Sequence, residues 1–112
     1  MSKLARLIAQ EEGFGIPGAV PTTHHNPGDL EHSPHSEHVA GDPIGRIDTD
    51  ADGWADLERQ LQLFADHSMT LRAAIYAYAP PSENDSERYL NFVCAGLGCS
   101  PDTPVAEALK IP

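Results

Sequence analysis

The sequence has few cysteines and few basic residues, and each shortage excludes a class of protein. Its two cysteines, Cys94 and Cys99, are too few for a disulfide scaffold and are not spaced as metal ligands. Seven Lys and Arg residues stand against seventeen Asp and Glu residues, which gives a net charge of −10 at pH 7. A surface that binds phosphates is hard to build from this composition, so nucleic acid is not an expected partner.

Long hydrophobic runs are also missing, since the apolar stretches are far too short to cross a bilayer. The acidic balance disfavours binding to an anionic membrane surface, so we expect no membrane partner. Lys3 and Arg6 lie near the N-terminus, but no apolar segment with a cleavage site follows them. We therefore expect a protein that lacks a secretory signal and is made in the cytoplasm.

The rest of the composition is that of a globular protein, with 40% hydrophobic and 21% charged residues. A length of 112 residues allows one small domain, which we take as residues 1–112. The fold class that the pattern predicts is mainly α, or α+β at most.

Helical periodicity appears at the two ends of the chain. Leu4, Leu7 and Ile8 predict a first helix over residues 3–12 that ends at Gly13. The chain is predicted to be helical again from Trp54 onward. The predicted helix boundaries are a start at Asp52 or Gly53, an N-cap at Thr70, an N-cap at Asn84 or Asp85, an end at Gly98, and a last short helix at Thr103-Pro104.

The segment from Gly13 to about Gly53 has a different character. It contains five of the six histidines and five of the ten prolines, without a helical period. This pattern predicts an irregular lobe of loops, with room for a short hairpin. We interpret the segment as a functional lobe, because binding and catalytic residues are commonly placed on loops held by a rigid scaffold.

Two acidic residues, Glu11 and Glu12, close the first predicted helix. Neither lies on the face opposite the apolar stripe, so at least one carboxyl group is expected to be partly removed from water. Desolvation raises the pKa of a carboxyl group and suits it to act as a general acid near neutral pH. The alternative is that both are solvated acids at a helix end.

A second motif is the turn His24-His25-Asn26-Pro27-Gly28-Asp29-Leu30. Asn-Pro-Gly-Asp favours a tight turn, which can hold an amide and a carboxylate at fixed positions. Asp29 is a candidate second carboxylate of an active site. Its alternative role is to accept hydrogen bonds from the N–H groups of the turn.

Six pieces of the sequence, taken in their order, resemble phage and prophage peptidoglycan-degrading proteins. They are Glu12-Gly13-Phe14, Asn26-Pro27-Gly28-Asp29-Leu30, residues 53–57, residues 69–71, residues 78–85 and Tyr89. These belong to the lysozyme-like superfamily, on the lytic transglycosylase side, and the likeness extends through residues 99–104. The resemblance implies a lysozyme-like fold, in which a cleft separates a helical lobe from a small lobe.

The resemblance also implies roles for individual residues. Glu12 matches the catalytic acid, Asn26 a residue of the cleft wall, and Tyr78 a tyrosine that faces the acid and the sugar. His25 stands where the related pattern often has a second Asn. We take His25, Asn26, Asp29 and Tyr78 as substrate-binding candidates, while residues 31–45 contain no matching motif.

The implied activity is cleavage of peptidoglycan between N-acetylmuramic acid and N-acetylglucosamine by a single Glu, without a cofactor. Two alternatives stay open, namely a hydrolytic muramidase that uses Asp29 and a glycan-binding or virion module without activity. The expected partner is the glycan strand. The protein would be made in the host cytoplasm and reach the wall after release, through a lysis system or in a virion.

Metal binding is a weaker interpretation. Asp48, Asp50 and Asp52 begin like a calcium loop, but Arg59 stands where the bidentate Glu should be, so an acidic helix start is the preferred interpretation. The histidines of the irregular segment match no zinc-binding spacing.

Overall fold

The computed structural model describes residues 1–112 and is mainly helical, as the sequence predicted. Helices contain 49% of the residues, and there is no sheet. None of its helices combines the length and the apolar character needed to span a membrane. The six helices are α1 (Lys3–Glu12), α2 (Val20–Thr23), α3 (Asp50–Asp66), α4 (Leu71–Tyr78), α5 (Ser86–Leu97) and α6 (Val105–Ala108).

Helix α1 has the predicted bounds, and local hydrogen bonds explain both of them. The Ser2 side chain accepts a hydrogen bond from the Ala5 N–H and caps the first turn. Gly13 adopts a left-handed conformation with φ of 92°, and the Phe14 N–H then bonds the Ala9 carbonyl at 3.0 Å. Glu12 is therefore the last helical residue, at the point where the chain turns away.

Helices α3 and α6 differ from prediction at their starts. Helix α3 begins at Asp50, because the Thr49 side chain accepts from the Asp52 N–H and caps the helix before the first apolar residue. Two acidic residues in the first turn also suit the positive end of the helix dipole. At α6 the N-cap is Pro104 instead of Thr103. The predicted cap at Thr70 and the end at Gly98 are confirmed, and of the two predicted caps of α5 the structure uses Asp85 and not Asn84.

One hydrophobic core joins the helices. Helix α1 packs against α5 and α3, and α4 packs against α5 and α6. The largest side chains that are fully buried in this core include Leu4, Ile8, Leu57, Leu61 and Leu90. The buried faces of α1 and α3 fix the direction in which their remaining polar side chains point.

Of the segment predicted to be an irregular lobe, residues 24–49 form the lobe in the structure, and they contain no regular strand. Its one antiparallel pairing joins Glu37 and Arg46, where each backbone N–H bonds the other residue's carbonyl oxygen. The single-turn helix α2 precedes the lobe within the segment that the sequence analysis predicted to be loops. Isolated backbone hydrogen bonds and buried side chains that bond its backbone together hold the lobe.

Asp56 of α3 provides one such attachment. The residue is 2% exposed, and its carboxylate accepts hydrogen bonds from the His35 N–H at 2.9 Å and the His35 ring at 2.6 Å. Burial acts to raise the Asp56 pKa, but the hydrogen bonds that it accepts outweigh burial and lower the pKa. The ionised side chain of α3 therefore pins the lobe to the helical body.

We predict that Asp56→Ala lowers the free energy of unfolding by about 2 kcal/mol, because it leaves the His35 N–H without its charged acceptor. Denaturant titration at pH 7 measures the loss. Asp48→Ala removes an exposed carboxylate at the end of the lobe and is the matched control. Equal stability of the two variants would show that Asp56 does not anchor the lobe.

Candidate active site

The irregular lobe and the helical body enclose a cleft of about 740 Å³. Its walls are Glu12 at the end of α1, residues 28–31 and Ile44 of the lobe, Gln60 and Phe64 of α3, and residues 77–80 with Glu83 and Asn84. Three of the sequence-predicted residues, Glu12, Asp29 and Tyr78, therefore lie together in one cleft.

Glu12 is the residue of the cleft that is most clearly prepared for proton transfer. Burial raises its pKa from 4.5 to about 7, and the nearby Asp29 and Glu11 carboxylates act in the same direction. A hydrogen bond from Tyr89 opposes these effects but does not cancel them. At neutral pH the side chain is thus divided between the protonated acid and the carboxylate, as a general acid–base requires.

Tyr89 is a candidate functional residue that sequence reasoning missed. Its ring is 3% exposed within the core, while its hydroxyl donates to Oε2 of Glu12 at 2.7 Å. Tyr89 belongs to the motifs of the family resemblance, which assigns it no role at the site. The hydrogen bond joins α5 to the end of α1, a contact between residues 77 positions apart that no local pattern encodes.

The neighbouring Glu11 has a different environment. Its carboxylate forms an ion pair with Arg88 of α5, and its side chain is 12% exposed. Glu11 is therefore compensated by a cation, whereas Glu12 has only a tyrosine hydroxyl as its partner. Of the two acids at the helix end, the structure directs Glu12 into the cleft.

Tyr78, the last residue of α4, forms another part of the wall. Its hydroxyl donates a hydrogen bond to the Gly28 carbonyl, and its ring meets Phe64 edge-on at 6.4 Å. Burial and the Glu12 carboxylate raise its pKa well above the ordinary value, so the phenol stays neutral. A Cβ at Gly28 would lie 2.6 Å from the Tyr78 hydroxyl, so glycine is needed for this approach.

Asp29 lines the cleft from the opposite lobe. It has a positive φ of 53°, and one of its carboxylate oxygens, Oδ1, is buried without a hydrogen-bond partner. Burial raises the pKa of the Asp29 carboxyl group. The nearby His24 acts to lower this pKa, whereas the Asp42 and Glu31 carboxylates act to raise it. The side chain does not accept the hydrogen bonds of its own turn, because Asn26 supplies that acceptor.

Asn26 lies inside the lobe and not on the cleft wall, which corrects the sequence prediction. The residue is fully buried, and its amide donates to the carbonyls of Leu30 and Gly45 at 2.8 and 2.9 Å. Its side-chain oxygen accepts from the Leu30 N–H at 3.0 Å. Because the amide is fully used within the protein, Asn26 shapes the turn that positions Asp29 instead of binding substrate.

His25 is likewise outside the cleft. Its side chain is 47% exposed, and its ring bonds the Asp50 carboxylate at 2.7 Å, beside the start of α3. His25 has a positive φ of 50°, and unlike Asp29 it does not line the cleft.

The three aspartates of the proposed calcium loop do not converge. Asp50 pairs with His25, while Asp52 lies 3.8 Å from the His35 ring. The structure has no group of three His, Cys, Asp or Glu side chains arranged to hold a metal ion. The reason is that residues 50–52 have become the first turn of α3, in which successive side chains point in different directions.

The comparisons add no relatives to this description: no protein-family model, curated protein or solved structure matches the chain at a significant level.

We predict that Tyr89→Phe raises the pKa of Glu12 above 7, because the hydrogen bond from the phenol stabilises the ionised carboxylate. An NMR titration of the Glu12 side-chain carboxyl carbon measures the change directly. Tyr76→Phe is the matched control, since the Tyr76 hydroxyl bonds Glu87 on the surface. A Glu12 pKa that is unchanged in Tyr89→Phe would contradict the proposed contact.

Glu12→Gln is expected to raise the free energy of unfolding at alkaline pH. The unfolded chain releases the Glu12 proton near pH 4.5 and the folded chain near pH 7, so stability falls as pH rises between these values. A neutral amide removes this cost, and we expect a gain of about 1–2 kcal/mol at pH 8. At pH 4 we expect little gain. Thermal unfolding at both pH values tests this, and an equal change at both would argue against a desolvated Glu12.

Proposed function

We propose that this protein cleaves the glycan strands of peptidoglycan between N-acetylmuramic acid and N-acetylglucosamine, with Glu12 as the catalytic acid. The observation that supports the proposal best is Glu12 itself, which ends α1 inside a cleft with its pKa raised to about 7. The ordered sequence motifs that resemble lysozyme-like peptidoglycan-degrading proteins of phages and prophages favour the same activity.

The reaction that we favour is that of a lytic transglycosylase. Protonated Glu12 gives its proton to the glycosidic oxygen, and the bond from that oxygen to C1 of the muramic acid breaks. Glu12, now a carboxylate, takes the proton of the sugar's own 6-hydroxyl as that oxygen bonds to C1. The product is a 1,6-anhydro ring, and Glu12 regains its proton without water taking part.

Tyr89 and Tyr78 fit two different requirements of this reaction. The Tyr89 hydroxyl already donates to Glu12, so it would stabilise the carboxylate that forms after the first proton transfer. Tyr78 is neutral and fixed by the Gly28 carbonyl, so its ring would form a rigid part of the surface against the sugar. Neither step requires a cofactor.

Hydrolysis is a second candidate, and Asp29 is the observation that favours it. This carboxylate lines the same cleft from the other lobe, and its Oδ1 lacks a protein partner. Two carboxylates across a glycosidic bond are the usual arrangement of a hydrolytic glycosidase. If Asp29 activates a water molecule, the product has a reducing end instead of an anhydro ring.

The biological setting that we propose is a phage or prophage lysis system, or a virion that opens the wall. The partner is the glycan strand. If the protein turns over no glycan, the alternative is an inactive module that only binds glycan or forms part of the virion.

Glu12→Gln should lower the rate of peptidoglycan cleavage by at least about 10²-fold, because the amide cannot deliver a proton. Glu11→Gln is the matched control, since it changes the adjacent acid that pairs with Arg88. Mass spectrometry of the muropeptides measures the rate and shows whether the new ends are anhydro or reducing.

In the same digest, anhydro ends from both wild type and Asp29→Asn support transglycosylation. Reducing ends that disappear in Asp29→Asn support hydrolysis. Full activity of Glu12→Gln, or binding without turnover by the wild type, would contradict the proposed catalytic role.

A further inference from the structure

The charge of the cleft bears on which glycan it would bind. Four of the residues that line it, Glu12, Asp29, Glu31 and Glu83, carry a carboxyl group, and no Lys, Arg or His lines it. A cleft whose walls carry charges of one sign concentrates their field on whatever enters. The cleft is therefore suited to a neutral or positively charged ligand.

The basic side chains beside the cleft are paired with carboxylates outside its lining. Arg88 is paired with Glu11, which is outside the cleft lining, and Arg46 lies 3.6 Å from Asp42. His24, the histidine behind Asp29, is bonded to Asp42 at 2.7 Å. No Lys, Arg or His side chain forms an ion pair with Asp29, Glu31 or Glu83, although the nearby His24 acts to lower the pKa of Asp29.

Amino-sugar strands differ in the charges that they present. The lactyl group of muramic acid, or the peptide joined to it by an amide bond, brings carboxylates, whereas an N-acetylated glucosamine is neutral. When the acetyl group is removed, the free 2-amino group is protonated at mildly acidic pH and becomes an ammonium with three donors. Glu12 also keeps its proton in that pH range. An ammonium is the sugar substituent that complements carboxylate walls.

We propose that the cleft selects glycan segments whose glucosamine residues have lost the N-acetyl group, with Glu31, Glu83 and Asp29 recognising the resulting ammonium groups. This inference rests on the proposed function, whose substrate it specifies. The uncharged residues of the cleft fit the same ligand, since Gln60 and Asn84 can bond sugar hydroxyls and Phe64 offers an apolar face.

The experiment measures binding, so that it does not depend on turnover. The Glu12→Gln protein is titrated calorimetrically at pH 6 and low salt with two probes, the β-1,4-linked glucosamine tetramer and its fully N-acetylated counterpart. We expect the glucosamine tetramer to bind at least about tenfold more tightly, and added salt to reduce the difference.

A pair of charge-matched double variants in the Glu12→Gln background distinguishes the effect of the cleft carboxylates on binding from the effect of the protein's net charge. Glu31→Gln with Glu83→Gln removes two lining carboxylates, and we expect the preference to fall to about threefold or less. Glu37→Gln with Glu107→Gln removes two exposed carboxylates outside the cleft, and we expect the preference to persist.

Equal binding of the two tetramers, tighter binding of the N-acetylated one, or no binding of either would overturn the proposal. A preference that both double variants lose equally would assign it to overall charge and would also overturn it. The proposed function fails separately: a wild type that prefers the glucosamine tetramer but never cleaves a glycan contradicts catalysis alone. Cleavage of N-acetylated peptidoglycan without any preference contradicts only the substrate inference.

Discussion

The proposed proton transfer depends on the partial removal of the Glu12 carboxyl group from water at the end of α1. Burial raises its pKa to about 7, and a single hydrogen bond from Tyr89 keeps the rise within a useful range. A fully solvated carboxyl group would be ionised at neutral pH, whereas a buried one without a donor would hold its proton too firmly. The position of Glu12 at the rim of the core provides the intermediate condition.

That position is a product of the whole fold. The left-handed Gly13 ends α1 at Glu12, and the packing of α1 on α5 brings Tyr89 to the carboxylate. The lobe that forms the opposite wall has almost no secondary structure of its own. Buried polar side chains, chiefly Asn26 and Asp56, add to its few backbone hydrogen bonds by bonding its backbone. Ionisation of the partly buried Glu12 carboxyl group lowers the free energy of unfolding.

The parts of the structure that could be predicted from sequence are those that local chemistry determines. The span of α1 follows from its apolar spacing and Gly13, and the caps at Thr70 and Asp85 follow from side-chain preferences. The roles of Asn26 and Tyr89 could not be predicted, because both depend on contacts between distant residues. A motif can indicate that Asn26 matters, but only the fold shows that it supports the turn from inside.

The most direct test of the central claim is the pH dependence of kcat/KM for glycan cleavage. If protonated Glu12 is the acid, the rate constant falls as pH rises, with an apparent pKa of about 7. In addition, the midpoint moves to higher pH in Tyr89→Phe. A rate constant that stays level or increases between pH 6 and pH 9 would contradict the account, because an ionised Glu12 has no proton to give.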